Sequence, residues 1–122
     1  LRYCNLDHLV DFRIENGETL SFADNSFDTI FSVNTLHHLR EPYRVIDELL
    51  RVLAPGGKLI LSDFTDQGFA MIEKIHAMEG GKHDAGRIKI LDVQIYLDNG
   101  EFETKIARTQ FQEVLIAVRK KA

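Results

Sequence analysis

The chain has 122 residues, with 15 Lys and Arg against 19 Asp and Glu and a formal net charge of −4 at pH 7. This length allows one compact domain, and 44% hydrophobic with 28% charged residues is ordinary for a globular fold. The longest basic cluster runs only from Arg119 to Lys121, and we expect it to end a solvated strand. We therefore expect a single domain over residues 1–122 that does not bind nucleic acid.

The single cysteine, Cys4, excludes an intrachain disulfide and a cysteine-rich metal site. The apolar runs are too short to span a bilayer, and no basic flank precedes a signal-like stretch at the N-terminus. A cytoplasmic protein without a membrane partner is the expectation. The chain opens on Leu1 and its first methionine is Met71, which indicates a processed start or a piece of a longer protein.

The first half of the chain predicts two strands and a helix. Residues 9–14 (LVDFRI) are β-leaning and precede turn-forming residues, so they predict a short strand. Residues 27–33 (FDTIFSV) predict a strand buried on both faces of a parallel sheet. After Pro42, apolar residues recur at helical spacing, which predicts an amphipathic helix that ends at the turn of residues 54–57 (APGG).

The next segments predict a strand over residues 58–64 (KLILSDF) and a helix over residues 67–78. The glycine-rich residues 80–86 predict a flexible connection. Residues 88–97 are ambiguous, because Ile88, Leu91 and Ile95 have helical spacing while other apolar residues alternate as in a strand. Periodicity alone leaves both interpretations open there.

The end of the chain predicts an antiparallel hairpin. Residues 102–107 and 111–118 are rich in β-forming residues and only three residues separate them. The order of strands and helices predicts an α/β fold with a mostly parallel sheet, a C-terminal antiparallel hairpin and helices on both faces.

Three stretches, in this order and spacing, carry a family resemblance: residues 16–28 (NGETLSFADNSFD), 36–39 (LHHL) and 48–63 (ELLRVLAPGGKLILSD). Together they resemble the second half of a class I S-adenosylmethionine-dependent methyltransferase, in the group that includes ubiquinone, menaquinone and many small-molecule methyltransferases. The resemblance implies a partial Rossmann-like sheet, S-adenosylmethionine as cofactor and a small-molecule acceptor. It also implies that residues 88–97 form a helix.

Four residues are candidate cofactor contacts through this resemblance. Asn16 and Gly17 occupy the family's adenine loop, where an amide oxygen can accept from an amine and glycine permits close backbone approach. An Asn-Gly turn without a ligand is the alternative. Val33 and Asn34 match the segment beside the methionine moiety, at the strand end where open α/β sheets bind ligands. Capping of the next turn is the alternative role of Asn34.

The neighbouring histidines His37 and His38 are candidates for the substrate side of the pocket. Histidine titrates near neutral pH, but neighbours on a turn point in different directions and do not share one metal. In the family this pair lines the pocket mouth or packs the next helix, so a structural role is the alternative. His76, Glu79 and His83 lack a recognised ligand spacing, and no metal site is predicted.

Catalytic residues stay unassigned, because positioning alone can accelerate methyl transfer to a good nucleophile. The family's Gly-rich loop and ribose-binding acidic residue have no counterpart here, so we expect a C-terminal portion of a methyltransferase domain. The strand of residues 27–33 then has an open apolar edge, which predicts a homodimer or strand-swapped oligomer. The alternative function is a non-catalytic fragment or dimerisation module that binds no cofactor.

Overall fold

The computed structural model describes residues 7–78 and 88–121 of the chain. Its strands are β1 (Phe27–Val33), β2 (Leu53–Phe64), β3 (Phe102–Arg108) and β4 (Gln112–Arg119). Its α-helices are α1 (Pro42–Val52), α2 (Asp66–Met78) and α3 (Ile90–Leu97), and short 3₁₀ turns lie at Asp7–Leu9 and Leu36–His38. The predicted connection over residues 80–86, Glu79, His83 and the side chain of His76 lie outside the described part.

The four strands form one sheet in the order β1-β2-β4-β3. β1 and β2 are parallel, whereas β2–β4 and β3–β4 are antiparallel, so the described sheet is mixed. The α/β class and the terminal hairpin are confirmed. The ambiguous residues 88–97 contain helix α3, as the family resemblance implied.

The core lies on one face of this sheet. Alternate residues of the central strands, including Leu59 and Leu115, are completely buried there. α1 contributes Ile46 to the same cluster and α3 contributes Val93, so both helices cover one face. The prediction placed helices on both faces of the sheet. On the face away from this core, the Phe31 side chain of β1 is 68% exposed, because α1 and α3 both pack on the core face.

The strand predicted at residues 9–14 is wrong. The segment from residue 10 to residue 15 has no regular structure, and the side chains of Phe12 and Ile14 are exposed. A strand needs a neighbour for its backbone N–H and C=O groups, and the described sheet ends at β1.

The predicted turn between α1 and the next strand is a bulge inside β2. Phe27 pairs with Leu53, but Thr29 already pairs with Lys58. Residues 54–57 are therefore accommodated opposite a single residue of β1. Strand β2 begins directly where α1 ends, with no separate loop.

Glycine is required in this bulge for two reasons. Gly56 has φ +77°, which disfavours residues with a Cβ. A Cβ on Gly57 would lie 2.7 Å from the backbone oxygen of Ala54 and 3.0 Å from that of Asp28. These contacts involve backbone atoms, so a larger residue requires the chain itself to shift.

The end of α1 is also fixed from β4. The guanidinium of Arg119 donates a hydrogen bond to the carbonyl oxygen of Leu50 at 2.7 Å and another to that of Leu53. Carbonyl groups at a helix C-terminus lack intrahelical donors, and a cation there is favourable. Arg119, the first residue of the basic run, therefore stabilises the junction of α1 and β2, a role that the sequence did not predict.

We expect Gly57→Ala to lower the free energy of unfolding by about 1–3 kcal/mol, because the methyl group overpacks the bulge. Urea denaturation followed by circular dichroism measures the change. Gly17→Ala is the matched control, since a Cβ there meets the side chain of Val45 at an ordinary 3.4 Å. Equal destabilisation by the two variants would contradict this account of the bulge.

Candidate functional site

The carboxyl ends of β1 and β2 lie side by side, because the two strands are parallel. Val33 at the end of β1 pairs with Ser62 of β2. The next residue, Asn34, has φ +53° and donates its backbone N–H to the Ser62 carbonyl at 2.9 Å. Asparagine tolerates this left-handed conformation better than most residues, so the chain can turn sharply away from the sheet here.

The side chain of Asn34 holds an unsatisfied acceptor. Its Oδ1 atom is buried and has no hydrogen-bond partner among the described residues. Leaving a buried acceptor unpaired costs about 1–3 kcal/mol, so native structures seldom retain one without a reason. A donor on a bound ligand would remove this cost.

Beside Asn34, the carboxylate of Asp63 joins the end of β2 to the turn Leu36–His38. Its Oδ1 lies 2.7 Å from His37 Nδ1, and its Oδ2 accepts the His37 backbone N–H at 3.1 Å. Oδ1 also accepts the backbone N–H of Phe64 at 2.9 Å. The side chains of His37 and Asp63 are only 4% and 2% exposed, so this contact is shielded from water.

The two predicted substrate-side histidines occupy different environments. The ring of His37 packs between aromatic neighbours, with ring centroids 5.5 Å from Phe64 and 5.3 Å from Phe69. His38 lies 3.9 Å from His37, measured between ring centroids, and is exposed. Of the pair, His38 is therefore the residue that can meet a molecule at this edge of the sheet from solvent.

The predicted adenine loop forms a turn on the same side of the molecule. Asn16 Oδ1 accepts the Glu18 backbone N–H at 3.0 Å, and the Asn16 carbonyl accepts that of Thr19 at 3.0 Å. Gly17 faces Val45 in the first turn of α1. The loop therefore lies beside the first turn of α1, the helix that follows the carboxyl end of β1.

An ion-pair network attaches this loop to α1. The Leu20 backbone N–H donates to Glu48 Oε1 at 3.0 Å. Arg51 donates to Glu48 Oε2 at 2.5 Å, to Asp24 Oδ1 at 2.8 Å and to the Leu20 carbonyl at 3.0 Å. The hydrogen bond from Arg51 is the main reason that the pKa of Glu48 lies below its ordinary value. The amphipathic pattern of this helix did not predict these contacts.

Residues 7–78 and 88–121 contain neither a membrane-spanning helix nor a metal-binding group of side chains. No helix there is both long enough and apolar enough to cross a membrane. No three His, Cys, Asp or Glu residues within those ranges gather as a metal-binding group.

Residues 2–61 match the sequence family described as a methyltransferase domain. A demethylmenaquinone methyltransferase from Renibacterium salmoninarum is 36% identical over 67 residues. The chain belongs to the class I S-adenosylmethionine-dependent methyltransferases. The match covers 55% of this chain but only 28% of that relative, so the chain corresponds to a part of the longer enzyme.

Solved structures share the fold. A SAM-dependent methyltransferase from Aquifex aeolicus superposes with a TM-score of 0.63 and 19% identity over 96% of this chain and 61% of that one. The [4+2]-cyclase SpnF superposes with a TM-score of 0.71 and 20% identity over 99% of this chain and 60% of that one. The Rossmann-like methyltransferase fold is thereby confirmed, and it accommodates more than one reaction.

We expect Glu48→Gln to lower the free energy of unfolding at neutral pH, because the amide loses the ion pair with Arg51. Since Arg51 lowers the pKa of Glu48 below its ordinary 4.5, the carboxylate contributes fully at neutral pH. That contribution is lost as the pH falls below 4.5 through the folded-state pKa. Urea denaturation at neutral and acidic pH measures the difference between variant and wild type.

The matched control is Glu103→Gln, which removes a carboxylate from an exposed position of β3. We expect it to show little effect at either pH. If the free energy of unfolding of Glu48→Gln differs from that of the wild type by the same amount at neutral and acidic pH, the ionised carboxylate of Glu48 does not hold the loop.

Proposed function

We propose that this chain binds S-adenosylmethionine at the carboxyl ends of β1 and β2 and serves methyl transfer to a small-molecule acceptor. The observation that carries the proposal is the buried, unpartnered Oδ1 of Asn34 at this edge. Membership of the methyltransferase family supplies the reaction class, since the fold is also found in a cyclase. Asn34 Oδ1 can accept a hydrogen bond from a donor group of the bound ligand.

The proposed cofactor contacts divide between two segments. Asn34 Oδ1 accepts a hydrogen bond from the ammonium group of the methionine moiety, and Val33 provides the adjoining wall. Asn16 Oδ1 has two lone pairs, only one of which is used by the Glu18 N–H. The other accepts the exocyclic amine of adenine without opening the turn, while Gly17 allows the backbone to approach the ring.

The role of the protein in the reaction is positioning. When bound, S-adenosylmethionine supplies a methyl group on a sulfonium; the carbon–sulfur bond breaks toward sulfur as the acceptor's lone pair forms the new bond. The residues at the strand ends hold the donor, and the exposed His38 borders the acceptor side. Correct placement of two reactants accounts for a large part of such a rate enhancement.

We expect Asn34→Gly to weaken S-adenosylmethionine binding about tenfold, the equivalent of about 1.4 kcal/mol for a lost hydrogen bond. Glycine adopts positive φ freely and the substitution removes a buried unpaired acceptor, so stability should not fall. Calorimetric titration and thermal unfolding measure the two effects separately.

Asn25→Gly is the matched control, because Asn25 also has positive φ, 58°, but lies exposed in the turn before β1. We expect its affinity to equal that of the wild type. Undiminished binding by Asn34→Gly would contradict the assignment of Asn34, and no binding by the wild-type chain would contradict cofactor binding by this chain.

A second candidate function is self-association through β1. The strand is at the edge of the described sheet, and Phe31 and Val33 are 68% and 59% exposed. A cavity of about 720 Å³ runs along its core side, lined in part by Phe22 and Phe27. Unpaired strand edges with apolar side chains pair readily with another chain, which supports a homodimer or a strand-swapped oligomer.

We expect the chain to form dimers in solution and Phe31→Lys to shift it toward monomer, because a charge on the exposed face opposes close packing of two copies. Light scattering over a concentration series measures the molecular mass. Phe12→Lys is the control, since Phe12 is also exposed, by 78%, but lies outside the sheet. A wild-type chain that is monomeric at every concentration would contradict association through β1.

A further inference from the structure

The carboxylate of Asp63 forms several hydrogen bonds at the end of β2. It lies at the end of β2 and bonds both the backbone and the ring of His37, in a different segment of the chain. We propose that Asp63 is a positioning residue: it holds the His37 ring with a proton on Nδ1 and thereby fixes the turn that follows Asn34. The inference rests on the proposed cofactor-binding role of Asn34.

The contacts of Asp63 indicate which nitrogen of His37 carries the proton. Both carboxylate oxygens accept backbone N–H groups, one from His37 and one from Phe64. An ionised carboxylate is an acceptor only and has room for these donors and one more. The 2.7 Å contact with Nδ1 therefore requires Nδ1 to carry a proton and donate, which excludes the Nε2–H tautomer.

The bend at Asn34 is held from both sides by neighbouring residues of β2. Before the bend, the Asn34 backbone N–H donates to the Ser62 carbonyl. After it, the His37 backbone N–H donates to Asp63 Oδ2. A third hydrogen bond spans Asn34, because Thr35 Oγ1 donates to the Val33 carbonyl at 2.9 Å. Loss of the Asp63 bond therefore removes one of three hydrogen bonds that hold this bend, and the direction of Asn34 Oδ1 depends in part on the carboxylate of Asp63.

Asp63→Asn preserves the side-chain volume but replaces one of the two hydrogen-bond acceptor oxygens. An amide has one oxygen and one NH₂ group, whereas both Asp63 oxygens receive backbone N–H groups. In one orientation the NH₂ group faces the N–H of Phe64, and in the other it faces the N–H of His37. Asp63→Asn thus separates the acceptor role from simple filling of space.

Nitrogen-15 NMR of the His37 ring, in wild type and Asp63→Asn, tests the tautomer. We expect a clear Nδ1–H signature in the wild type and its loss in the variant. The side-chain amide signals of Asn34 should shift in the same variant, with no cofactor present. A wild-type His37 in the Nε2–H form, or unchanged Asn34 signals, would overturn the inference.

Titration with S-adenosylmethionine tests whether the contact between Asp63 and His37 affects cofactor affinity. We expect about tenfold weaker binding by Asp63→Asn, which is about 1.4 kcal/mol. His37→Asn keeps a donor near the place of Nδ1 and should retain more affinity than His37→Phe, which has none. Equal affinities for these two would overturn the inference even if Asp63→Asn fails to fold. No binding by the wild type would refute the proposed function and leave the NMR result to decide the role of Asp63.

Discussion

The parallel pairing of β1 with β2 is the constraint on which the proposed site depends. It places two carboxyl strand ends next to each other, so Asn34 and Asp63 lie on neighbouring strand ends although they are far apart in sequence. An antiparallel neighbour would place an amino end there and separate the two side chains. Ligand sites beyond adjacent carboxyl ends are general in open α/β sheets, and here two buried polar groups occupy that position.

β1 is also an edge strand of the described sheet. The central strands β2 and β4 carry the completely buried residues Leu59 and Leu115, whereas β1 is paired on one side and open on the other. The proposed cofactor contacts and the proposed association surface therefore share one strand. A copy that pairs with β1 would restrain the same backbone that presents Asn34.

Local patterns predicted local structure well. The boundaries of β1, the helix after Pro42 and the terminal hairpin follow from periodicity and turn residues. The strand at residues 9–14 was wrong because a strand depends on a neighbour that its own residues do not encode. The contacts of Asp63 and Arg51 were missed for a related reason: each joins segments more than 20 residues apart, 26 for Asp63–His37 and 27 for Arg51–Asp24. The one sequence signal for the Asp63–His37 pair was that both residues lie near the carboxyl ends of neighbouring strands.

The direct junction between α1 and β2 ties the two halves of the proposed site to one stretch of chain. No separate loop divides helix from strand, and Arg119 donates to the Leu50 carbonyl in α1 and to the Leu53 carbonyl in β2. On the helix side, Glu48 accepts the Leu20 backbone N–H beyond the proposed adenine loop, and on the strand side β2 continues past the glycine bulge to Asp63. A substitution that displaces this junction is therefore expected to disturb both halves of the proposed site.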